Sequence, residues 1–510
     1  MEMNEKIDHV VLLMLENRSL DNVLGWLYSY GDKPSQFIGT DQTQHYHGLE
    51  EVTGITKGTV GGTGTSVPPQ PLRVPGFDPN EQYEHTNQQL FGSPAKPTNT
   101  NPAYGTPAAM AGFAYDFTTS SHWNPGNEDP AQHHQILEAY TPDQLPILNG
   151  LAQSYAVSDA WFASVPTETT PNRAFSICGT SLGCLDDGEA DLDFYPQYNT
   201  RTLWEALPDD VTWAIYYHEI WHDDQCYTQY TFPYLNNAKG PGDDILPISY
   251  KTGFYEKARA GKLPNFTFLE PAWGYGYGKS DGSGFECPTS GFWPGEQGND
   301  YHPPTWLGPG EAFVNDVYTA LTANAEAWKK TLLIITFDEH GGTYDHVDPG
   351  WDKNIEPGDG KYGPDGFRFD RYGVRVPTLL ISPWIQAGTV FRSSDKTLKY
   401  DHTSLIATLL KWRGADPKKA GLKNRVANAP TFDGVLSDKL RSDVPQYTLP
   451  ARYADQGADC THGHIPPEKR IPPAVARAIL SKSVTREEVE ARTKVWLTTH
   501  PDRARERGGA

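Results

Sequence analysis

The chain has 510 residues, of which 37% are apolar, and a formal net charge of −21 at pH 7. This charge argues against a nucleic-acid partner and against broad docking on anionic lipid, because both kinds of binding draw on Lys and Arg. It is compatible with a zwitterionic or cationic head group. The sequence has no run of about 18 consecutive apolar residues, so we expect no transmembrane segment.

The amino terminus and the cysteines give information on the cellular compartment of the protein. Residues 1–8 lack the basic segment and the long apolar segment of a signal peptide. We expect a secreted or periplasmic protein whose signal peptide is not present in this chain; the alternative is a cytoplasmic protein exported by a non-classical route. Five cysteines leave at least one thiol unpaired. Cys178 and Cys184 are close enough for a local disulfide, which the sequence does not decide.

The first predicted element is a strand over residues 10–15, where apolar and β-branched residues follow one another without polar alternation. Such a run is typical of a strand buried on both faces of a parallel sheet. Glu16 and Asn17 follow it directly, and a short helix is predicted over residues 23–27. Because ligands of such sheets bind at the carboxyl ends of the strands, both polar residues are candidates for a binding site.

Residues 31–110 are rich in Gly, Pro, Thr and Gln. We interpret them as long loops with one helix near residues 84–91, and long loops in a compact domain tend to be functional. Asp78, Glu81 and His85 are therefore polar candidates for the site. The alternative is that they are ordinary solvated loop residues.

The next segment contains a cluster of hydroxyls. We predict a helix over residues 141–156, with Thr141 as its N-cap, then a strand over residues 157–162 and a helix beginning at Ala174. A strand-to-helix turn is where α/β enzymes place a nucleophile, since the helix N-terminus faces an anion. The candidate nucleophiles, which simple N-capping explains equally well, are Thr167, Thr169 and Thr170.

Further strands are predicted over residues 211–217 and 266–269. The second leads into a Gly-rich insertion, interpreted as a lid or pocket wall, with the aromatic residues Trp273, Tyr275, Tyr277, Phe285, Phe292, Trp293, Tyr301 and Trp306. An aromatic cluster can cage a quaternary ammonium by cation–π attraction, although such residues more often pack a loop. His302, at the end of the insertion, is conformationally restricted by the prolines that follow it.

A helix over residues 311–328 leads into a second buried strand, residues 332–337, which ends in Asp338 and Glu339. Both buried strands therefore deliver polar side chains to the same edge of the predicted sheet. Three carboxylates and one amide oxygen suit a divalent cation. The alternative is two ordinary strands followed by polar turn residues.

The remainder of the chain contains a strand over residues 375–381 and a helix capped by Asp401 and ended by Gly414. We predict one catalytic domain, residues 1–414, with loop insertions at about 31–110 and 270–306. Residues 415–510 are predicted to form a surface-wrapping C-terminal extension that ends in a helix. Its capping box is formed by Thr485 and Glu488.

Several short motifs occur in a fixed order along the chain. They are ENRSLD at 16–21, TTPNR at 169–173, NDYHPP at 299–304, DEHGGTYDHV at 338–347 and DHTS at 401–404. Together they give the sequence a specific resemblance to the bacterial and plant phosphoesterase family. That family contains phosphatidylcholine-type phospholipases C, non-specific phospholipases C and related acid phosphatases.

The resemblance implies an α/β fold with an alkaline-phosphatase-like core sheet, mostly parallel, with helices on both faces and long loop insertions. It implies a divalent metal ion, either zinc, calcium or magnesium, held by Glu16, Asn17, Thr169, Asp338 and Glu339. Thr169 would also be the nucleophile. His302 would bind the phosphate or donate a proton there, and Arg173 would face the phosphate or brace the turn.

One departure from the family pattern concerns Glu81, because many members have a His at this position. His85, one helical turn on, is the alternative source of an imidazole. We predict that Glu81 and His85 contact the substrate, together with the aromatic residues Trp273, Tyr275 and Tyr301.

The function implied is a phospholipase C acting on phospholipid at a membrane surface. It would hydrolyse phosphatidylcholine to diacylglycerol and phosphocholine through a phospho-threonine intermediate. The alternatives are a broad-specificity acid phosphatase and a non-catalytic protein of the same fold that binds choline or lipid. The oligomeric state is not predicted.

Overall fold

The structure is a computed structural model. It describes residues 2–29, 31–41, 43–52, 75, 78–93, 96, 98, 100–119, 134–187, 197–218, 226–248, 253–273, 298–305 and 307–450. Within these parts of the chain, every helix is too short or too polar to cross a bilayer. Two sets of predicted residues lie outside these ranges. They are the capping box of Thr485 and Glu488 and the aromatic residues Tyr275, Tyr277, Phe285, Phe292, Trp293 and Trp306.

A central sheet organises the described residues. The strands are β1 (His9–Leu15), β2 (Gln36–Ile38), β3 (Ala156–Ser158), β4 (Trp161–Phe162), β5 (Trp213–Tyr217), β6 (Asp244–Pro247), β7 (Phe266–Leu269), β8 (Thr331–Phe337), β9 (Thr378–Ile381), β10 (Thr389–Phe391) and β11 (Tyr400–Asp401). The main sheet has the order β2-β10-β3-β9-β8-β1-β7-β5-β6, and β11 pairs with β4 in a second, small sheet. Strand β9 runs antiparallel to both of its neighbours, whereas the other pairs are parallel. The predicted α/β class with a mostly parallel sheet is therefore confirmed.

Helices connect these strands. In the described residues they are α1 (Met3–Lys6), α2 (Leu20–Leu24), α3 (Tyr83–Phe91), α4 (Phe113–Phe117), α5 (Pro146–Ser154), α6 (Thr169–Cys178), α7 (Leu203–Ala206), α8 (Tyr227–Thr231), α9 (Phe254–Ala260), α10 (Leu307–Thr322), α11 (Ala325–Trp328), α12 (His402–Trp412) and α13 (Lys423–Asn428). Short 3-10 turns occur at Leu49–Glu51, His134–Leu137, Pro233–Ala238, Lys353–Ile355, Pro364–Gly366 and Asp433–Val435.

Strands β1 and β8 lie side by side near the middle of the sheet. Every residue of β8 is buried, and so is every residue of β1 after His9. The two strands are parallel, with Leu15 opposite Phe337 at their carboxyl ends. Both predicted strands are confirmed, and this register sets the residues that follow them next to each other.

Helices α2 and α5 do not begin where the sequence predicts. Helix α2 begins at Leu20 rather than at residue 23, because the Ser19 side chain accepts a hydrogen bond from the backbone N–H of Asn22 and caps it. Helix α5 begins at Pro146, which needs no N–H at the first helical position. The predicted N-cap, Thr141, instead forms a turn with Gln144.

The segment that contains the candidate nucleophiles Thr167, Thr169 and Thr170 also differs from the prediction. The strand expected over residues 157–162 is divided into β3 and β4, which belong to different sheets. Helix α6 begins at Thr169, not at Ala174, with Glu168 as its N-cap. Pro171 lies in its first turn, where an absent N–H loses no helical hydrogen bond. Thr169 is therefore the first residue of a helix.

Later elements keep the predicted order with shifted ends. The helix expected over residues 311–328 is two helices, α10 and α11, and Asn324 caps the second by accepting from Ala327 N–H. Strand β9 is shorter than expected. Asp401 caps α12 as predicted, accepting from Thr403 N–H at 2.8 Å. Cys178 and Cys184 are free thiols, so the local disulfide is absent.

The segment after residue 414 packs against the body as far as it is described. Arg425, on α13, is buried and forms an ion pair with Asp401 at the start of α12. The division into a catalytic domain and a C-terminal extension remains a prediction.

Candidate active site

The site begins where β1 and β8 end. Glu16 and Asp338 follow these two strands, and their buried carboxyl groups lie against each other. The backbone N–H of Asn17 donates to Asp338 Oδ1 at 3.0 Å, and Asn17 has a positive φ of 55°. The register of the two strands therefore brings together Asn17 and Asp338, which are 321 residues apart in the sequence.

Thr169 adds a hydroxyl to these oxygens. Its Oγ1 lies 3.2 Å from Glu16 Oε2 and 3.2 Å from Asn17 Oδ1, both of which can accept its proton. The other two candidate hydroxyls have partners elsewhere. Thr167 Oγ1 donates to the Leu185 carbonyl, and Thr170 Oγ1 accepts from the Tyr227 hydroxyl. Thr169 is thus the hydroxyl that the structure places at the carboxylates.

Arg173, one turn further along α6, lies between the two carboxylates. Its Nη2 pairs with Glu16 Oε1, and its Nε donates to Asp338 Oδ2 at 3.1 Å. The guanidinium is buried and lies 4.5 Å from the centre of the Trp273 ring. Its Nη1 is also buried and has no hydrogen-bond partner in the described part of the chain.

Glu339 and Glu81 form a second carboxyl pair, joined to the first through Asn17. Asn17 Nδ2 donates to Glu81 Oε2 at 2.5 Å, and the Glu81 and Glu339 carboxyl groups are in contact. Glu339 Oε2 accepts from Gly341 N–H at 2.6 Å. Glu339 Oε1 is buried and has no hydrogen-bond partner among the described residues.

The electrostatics of the site show an excess of negative charge. Burial raises the pKa values of Glu16, Glu81 and Glu339 well above the usual range of a Glu carboxyl group. The Arg173 charge lowers the pKa of Glu16, whereas neighbouring carboxylates raise all three pKa values further. Paired buried carboxyl groups with an unbonded oxygen are the environment that a divalent cation stabilises, so these residues fit a metal ion.

His302 lies beside Asn17. Its Nε2 is 2.9 Å from Asn17 Nδ2, and its Nδ1 is 2.6 Å from the Pro303 carbonyl. This arrangement corresponds to an imidazole with its hydrogen on Nδ1, which leaves Nε2 as the acceptor. His302, Asp78 and Glu81 each offer a ligand atom within 4.8 Å of the others, so these three residues could also hold a cation.

His85 reaches the site through other side chains. Its Nδ1 lies 2.8 Å from Asp116 Oδ1, and Asp116 Oδ2 accepts from Gln89 at 2.9 Å. Gln89 Oε1 in turn lies 2.7 Å from Nε2 of His340, the residue after Glu339. Glu81 contacts Asn17, whereas His85 does not. These contacts therefore do not support His85 as a replacement for the His that many family members have at position 81.

Two of the predicted aromatic residues, Trp273 and Tyr301, lie in different surroundings. Trp273 packs on Tyr227 and covers Arg173, so it touches the site from behind that guanidinium. The Tyr301 hydroxyl donates to Glu311 at 2.7 Å, and its ring packs against Phe337 in the core. This partner gives Tyr301 a structural role, and its contact with substrate remains a prediction.

Sequence reasoning missed the chain from His340 through Gln89 to Asp116. His340 stands inside the DEHGG motif, which was a usable signal. Gln89 and Asp116 are buried polar residues on short helices, and their spacing in the sequence gives no signal.

Comparison with known proteins identifies a family, two curated relatives and a solved structure. A model of the phosphoesterase family matches residues 7–413. Non-specific phospholipase C1 of Arabidopsis thaliana is 32% identical over 449 residues, which cover 86% of this chain and 73% of that protein. Non-hemolytic phospholipase C of Burkholderia pseudomallei is 28% identical over 324 residues, covering 56% of this chain and 42% of that protein. Among solved structures, a protein of the alkaline phosphatase superfamily from Vibrio parahaemolyticus matches 56% of this chain and 64% of its own, at 16% identity and a TM-score of 0.27.

Proposed function

Because this chain belongs to the phosphoesterase family and is a phosphoric ester hydrolase, we propose that it is a metal-dependent phospholipase C acting on phosphatidylcholine. The products would be diacylglycerol and phosphocholine. The observation that carries this proposal is the position of Thr169 Oγ1, 3.2 Å from both Glu16 Oε2 and Asn17 Oδ1. A hydroxyl beside a carboxylate acceptor and at a helix N-terminus is suited to covalent phosphoryl transfer.

The residues that would hold the cation supply oxygen atoms throughout. They are Glu16, Asn17, Thr169, Asp338 and Glu339. Such a donor set suits calcium, magnesium or zinc. When bound, a divalent cation lowers the pKa of a neighbouring hydroxyl and offsets negative charge on phosphoryl oxygens.

The first chemical step belongs to Thr169. Its Oγ1 attacks phosphorus, so that an Oγ–P bond forms and the bond from phosphorus to the diacylglycerol oxygen breaks. The proton of Thr169 passes to the Glu16 carboxylate, which already accepts its hydrogen bond. The intermediate is a phospho-threonine, here a phosphocholine ester of Thr169.

The leaving alkoxide takes up a proton in the same step. His302 can supply it only after Nε2 has been protonated, because that nitrogen accepts a hydrogen bond in the described arrangement. In the second step water attacks phosphorus and gives a proton back to His302 Nε2, while the Oγ–P bond breaks and phosphocholine is released. The Glu16 carboxyl group returns to Thr169 Oγ1 the proton that it took up in the first step.

Arg173 positions two carboxylates of the site, of which Glu16 lies beside the nucleophile. It binds Glu16 and Asp338 at the same time, while its Nη1 is left without a partner among the described residues. A buried N–H donor of this kind is suited to a phosphoryl oxygen, since a phosphate is a strong acceptor. We therefore assign Arg173 the phosphate-facing part of its predicted role, and its ion pairs hold the two carboxylates rather than the turn.

Replacing Gly341 with Ala should disturb this site through the backbone. Gly341 has a φ of +56°, and an added Cβ would lie 2.2 Å from the carbonyl oxygen of Asn17. Asn17 must then move, and with it the oxygen beside Thr169. We expect kcat on phosphatidylcholine to fall at least about tenfold, since displacements of about 1 Å are costly in catalysis. Steady-state kinetics on mixed micelles measures this.

The matched control is Gly414→Ala. Gly414 has a similar φ of +74°, but an added Cβ meets nothing within 4 Å. Both variants carry the cost of a left-handed Ala, about 1 kcal/mol, and the clash occurs in Gly341→Ala alone. An equal loss of kcat in both variants, or no loss in either, would contradict the role given to the backbone of Asn17.

The choice of head group rests on charge and on aromatic residues. The net charge of −21 disfavours anionic lipids over zwitterionic phosphatidylcholine. One face of Trp273 is already in contact with Arg173, so this face is not open to choline. A choline cage would need the other face or further aromatic residues of the insertion, of which Tyr275 lies outside the described residues.

We expect phosphatidylcholine to be cleaved faster than phosphatidylglycerol, by a factor of about 2 to 30. A cation–π contact is worth about 0.5–2 kcal/mol, which corresponds to this range. The comparison is made at low salt and at about 0.5 M salt, where long-range repulsion is screened. A preference for phosphatidylcholine that persists at high salt supports a choline contact. Equal rates on the two lipids at high salt would contradict such a contact.

A substrate panel tests the proposed function itself. The protein is incubated with phosphatidylcholine, with phosphocholine and with an aryl phosphate, before and after chelation of metals. A phospholipase C releases diacylglycerol from the first and loses this activity on chelation. Rapid cleavage of the two monoesters alone would identify a broad acid phosphatase. Inactivity on all three substrates, with binding of lipid, would identify a non-catalytic binding protein.

A further inference from the structure

A second group of side chains, away from Thr169, has the composition of a metal site. It consists of His45, His47, His346 and Glu51, called here the imidazole cluster. Nitrogens of all three imidazoles converge on the Glu51 carboxylate: His45 Nε2 and His47 Nδ1 pair with Oε1, and His346 Nε2 lies 3.4 Å from Oε2. The ligand atoms of His45, His47 and Glu51 all lie within 4.8 Å of one another.

Two of these imidazoles have a carboxylate on their other nitrogen. His346 Nδ1 lies 2.6 Å from Asp21 Oδ2, and His47 Nε2 lies 3.3 Å from Asp41 Oδ2. A metal-binding His usually donates its other N–H to a carboxylate or carbonyl, which fixes the ring and turns the lone pair to the metal. Both rings therefore have the surroundings of metal ligands.

The hydrogen-bond pattern favours a positive charge beside Glu51. A neutral imidazole has one N–H and one lone pair. If His346 and His47 donate to Asp21 and Asp41, their lone pairs point at the Glu51 carboxylate, which is also an acceptor. Such a contact is repulsive unless a cation lies between these atoms or the rings are protonated.

Buried arginines hold the backbone of the cluster in place. The His45 carbonyl accepts from Arg392 Nη2 at 2.6 Å, and the His47 carbonyl accepts from Arg375 Nη1 at 2.7 Å. The His47 N–H donates to Asp159 at 2.9 Å. A ligand set anchored in this way loses little conformational entropy on binding, which favours a preorganised site.

We propose that the imidazole cluster binds a divalent transition-metal ion, of which zinc is the best match. His45, His47 and Glu51 offer two imidazole nitrogens and one carboxylate oxygen within 4.8 Å of one another. His346, whose Nε2 lies 3.4 Å from the second oxygen of Glu51, would be the fourth ligand, and zinc prefers nitrogen and oxygen ligands of this kind. His346 lies in the segment that follows β8 and carries Asp338 and Glu339, whereas His45, His47 and Glu51 belong to the loop region after β2. The ion ties these two regions together. It is separate from the cation proposed at Thr169 and does not depend on the proposed function.

The test uses the full chain with Asp338→Asn, so that binding at the Thr169 site is weakened. Metal is removed by chelation, Zn²⁺ alone is added, and bound zinc is counted by elemental analysis after gel filtration. We expect at least one equivalent of zinc, because Asp78, Glu81 and His302 could hold a second ion. Co²⁺ in its place should give the visible absorption of a four-coordinate nitrogen and oxygen site.

His45→Gln is the informative variant, because the His45 side chain is 58% exposed and its loss does not threaten the fold. Removing one ligand should lower zinc affinity at least about tenfold and abolish the Co²⁺ spectrum. The control is His9→Gln, which removes an imidazole at the amino end of β1, where it contacts the Pro264 carbonyl. This control should bind zinc as the parent does.

Three results would overturn the proposal. Zinc binding that survives His45→Gln unchanged places the ion elsewhere. Equal losses in His45→Gln and His9→Gln indicate adventitious binding by surface histidines. Absence of zinc binding in the parent means that protonated imidazoles supply the positive charge beside Glu51. None of these results bears on Thr169, so the proposed phospholipase activity stands or falls separately.

Discussion

Replacing Thr169 with Ala should lower kcat on phosphatidylcholine by at least about a thousandfold, because the attacking oxygen is removed. Thr169 is the hydroxyl that lies 3.2 Å from Glu16 and from Asn17. The fold should be retained, since the change deletes a small side chain at the first position of α6. Release of diacylglycerol measures the loss, and thermal unfolding confirms that the variant is folded.

Two further variants make this result specific. Thr169→Ser keeps a hydroxyl at the same position and should retain measurable turnover. Thr170→Ala makes the same deletion one residue later, where the hydroxyl accepts from Tyr227. It removes the hydrogen bonds of this hydroxyl with Tyr227 and Asp187, so it should lose about 1–3 kcal/mol of stability and should keep its activity. If Thr170→Ala were as inactive as Thr169→Ala, the nucleophile would be misassigned.

Replacing Asp338 with Asn should remove metal binding and lower activity at least about a hundredfold. The Asn oxygen can still accept from Asn17 N–H and from Glu339 N–H, as Asp338 Oδ1 does. Its NH₂ group would face Arg173 Nε, which is also a donor. We expect this contact to cost about 1–3 kcal/mol, so the variant should fold with a somewhat lower Tm.

The decisive readout for Asp338→Asn is the stabilisation by added metal. A ligand that binds the native state at a hundred times its Kd stabilises it by about 2.7 kcal/mol. The metal proposed at the Thr169 site should raise the Tm of the wild type and not that of this variant. Calcium or magnesium is the appropriate ion here, because zinc could also bind the imidazole cluster.

The control is Asp401→Asn, in which a buried Asp also loses its charge beside an Arg. Asp401 pairs with Arg425 and caps α12, so this variant should lose stability. It should nevertheless keep the rise in Tm on adding metal. An unchanged metal effect in Asp338→Asn, together with full activity, would exclude Asp338 from the metal site.

The two strands that precede the site could be predicted from the sequence, because a strand buried on both faces is a continuous run of apolar residues. The runs before Glu16 and Asp338 have no polar alternation, and both are strands of the predicted kind. Strand β7 has the predicted bounds, and Asp401 is the predicted cap of α12. In each of these cases the signal is local, either a continuous apolar run or a side chain beside free backbone N–H groups.

The pairing of Arg173 could not be predicted in the same way. Arg173 is 157 residues from Glu16 and 165 residues from Asp338 in the sequence, yet it binds both. Only the position of α6 over the sheet edge brings them together. The sequence left open whether Arg173 faces an anion or braces a turn, and the structure adds a contact with Trp273 that no local pattern indicates.

Helix starts were missed where a proline lies in the first turn. The helix predicted from Ala174 begins at Thr169, with Pro171 in its first turn, where proline is well tolerated. The same principle explains α5, which begins at Pro146 and not at the Thr141 N-cap. These errors matter for function because they move Thr169 from a loop to the N-terminus of a helix.

The central claim is that Thr169 forms a covalent intermediate, and its most direct test is mass spectrometry of wild-type protein quenched in acid during turnover of phosphatidylcholine. We expect a phosphocholine adduct on the peptide that contains residues 167–170, and fragmentation should assign it to Thr169. The adduct should be absent from Thr169→Ala. An adduct on Thr167 or Thr170, or rapid turnover by Thr169→Ala, would contradict the account.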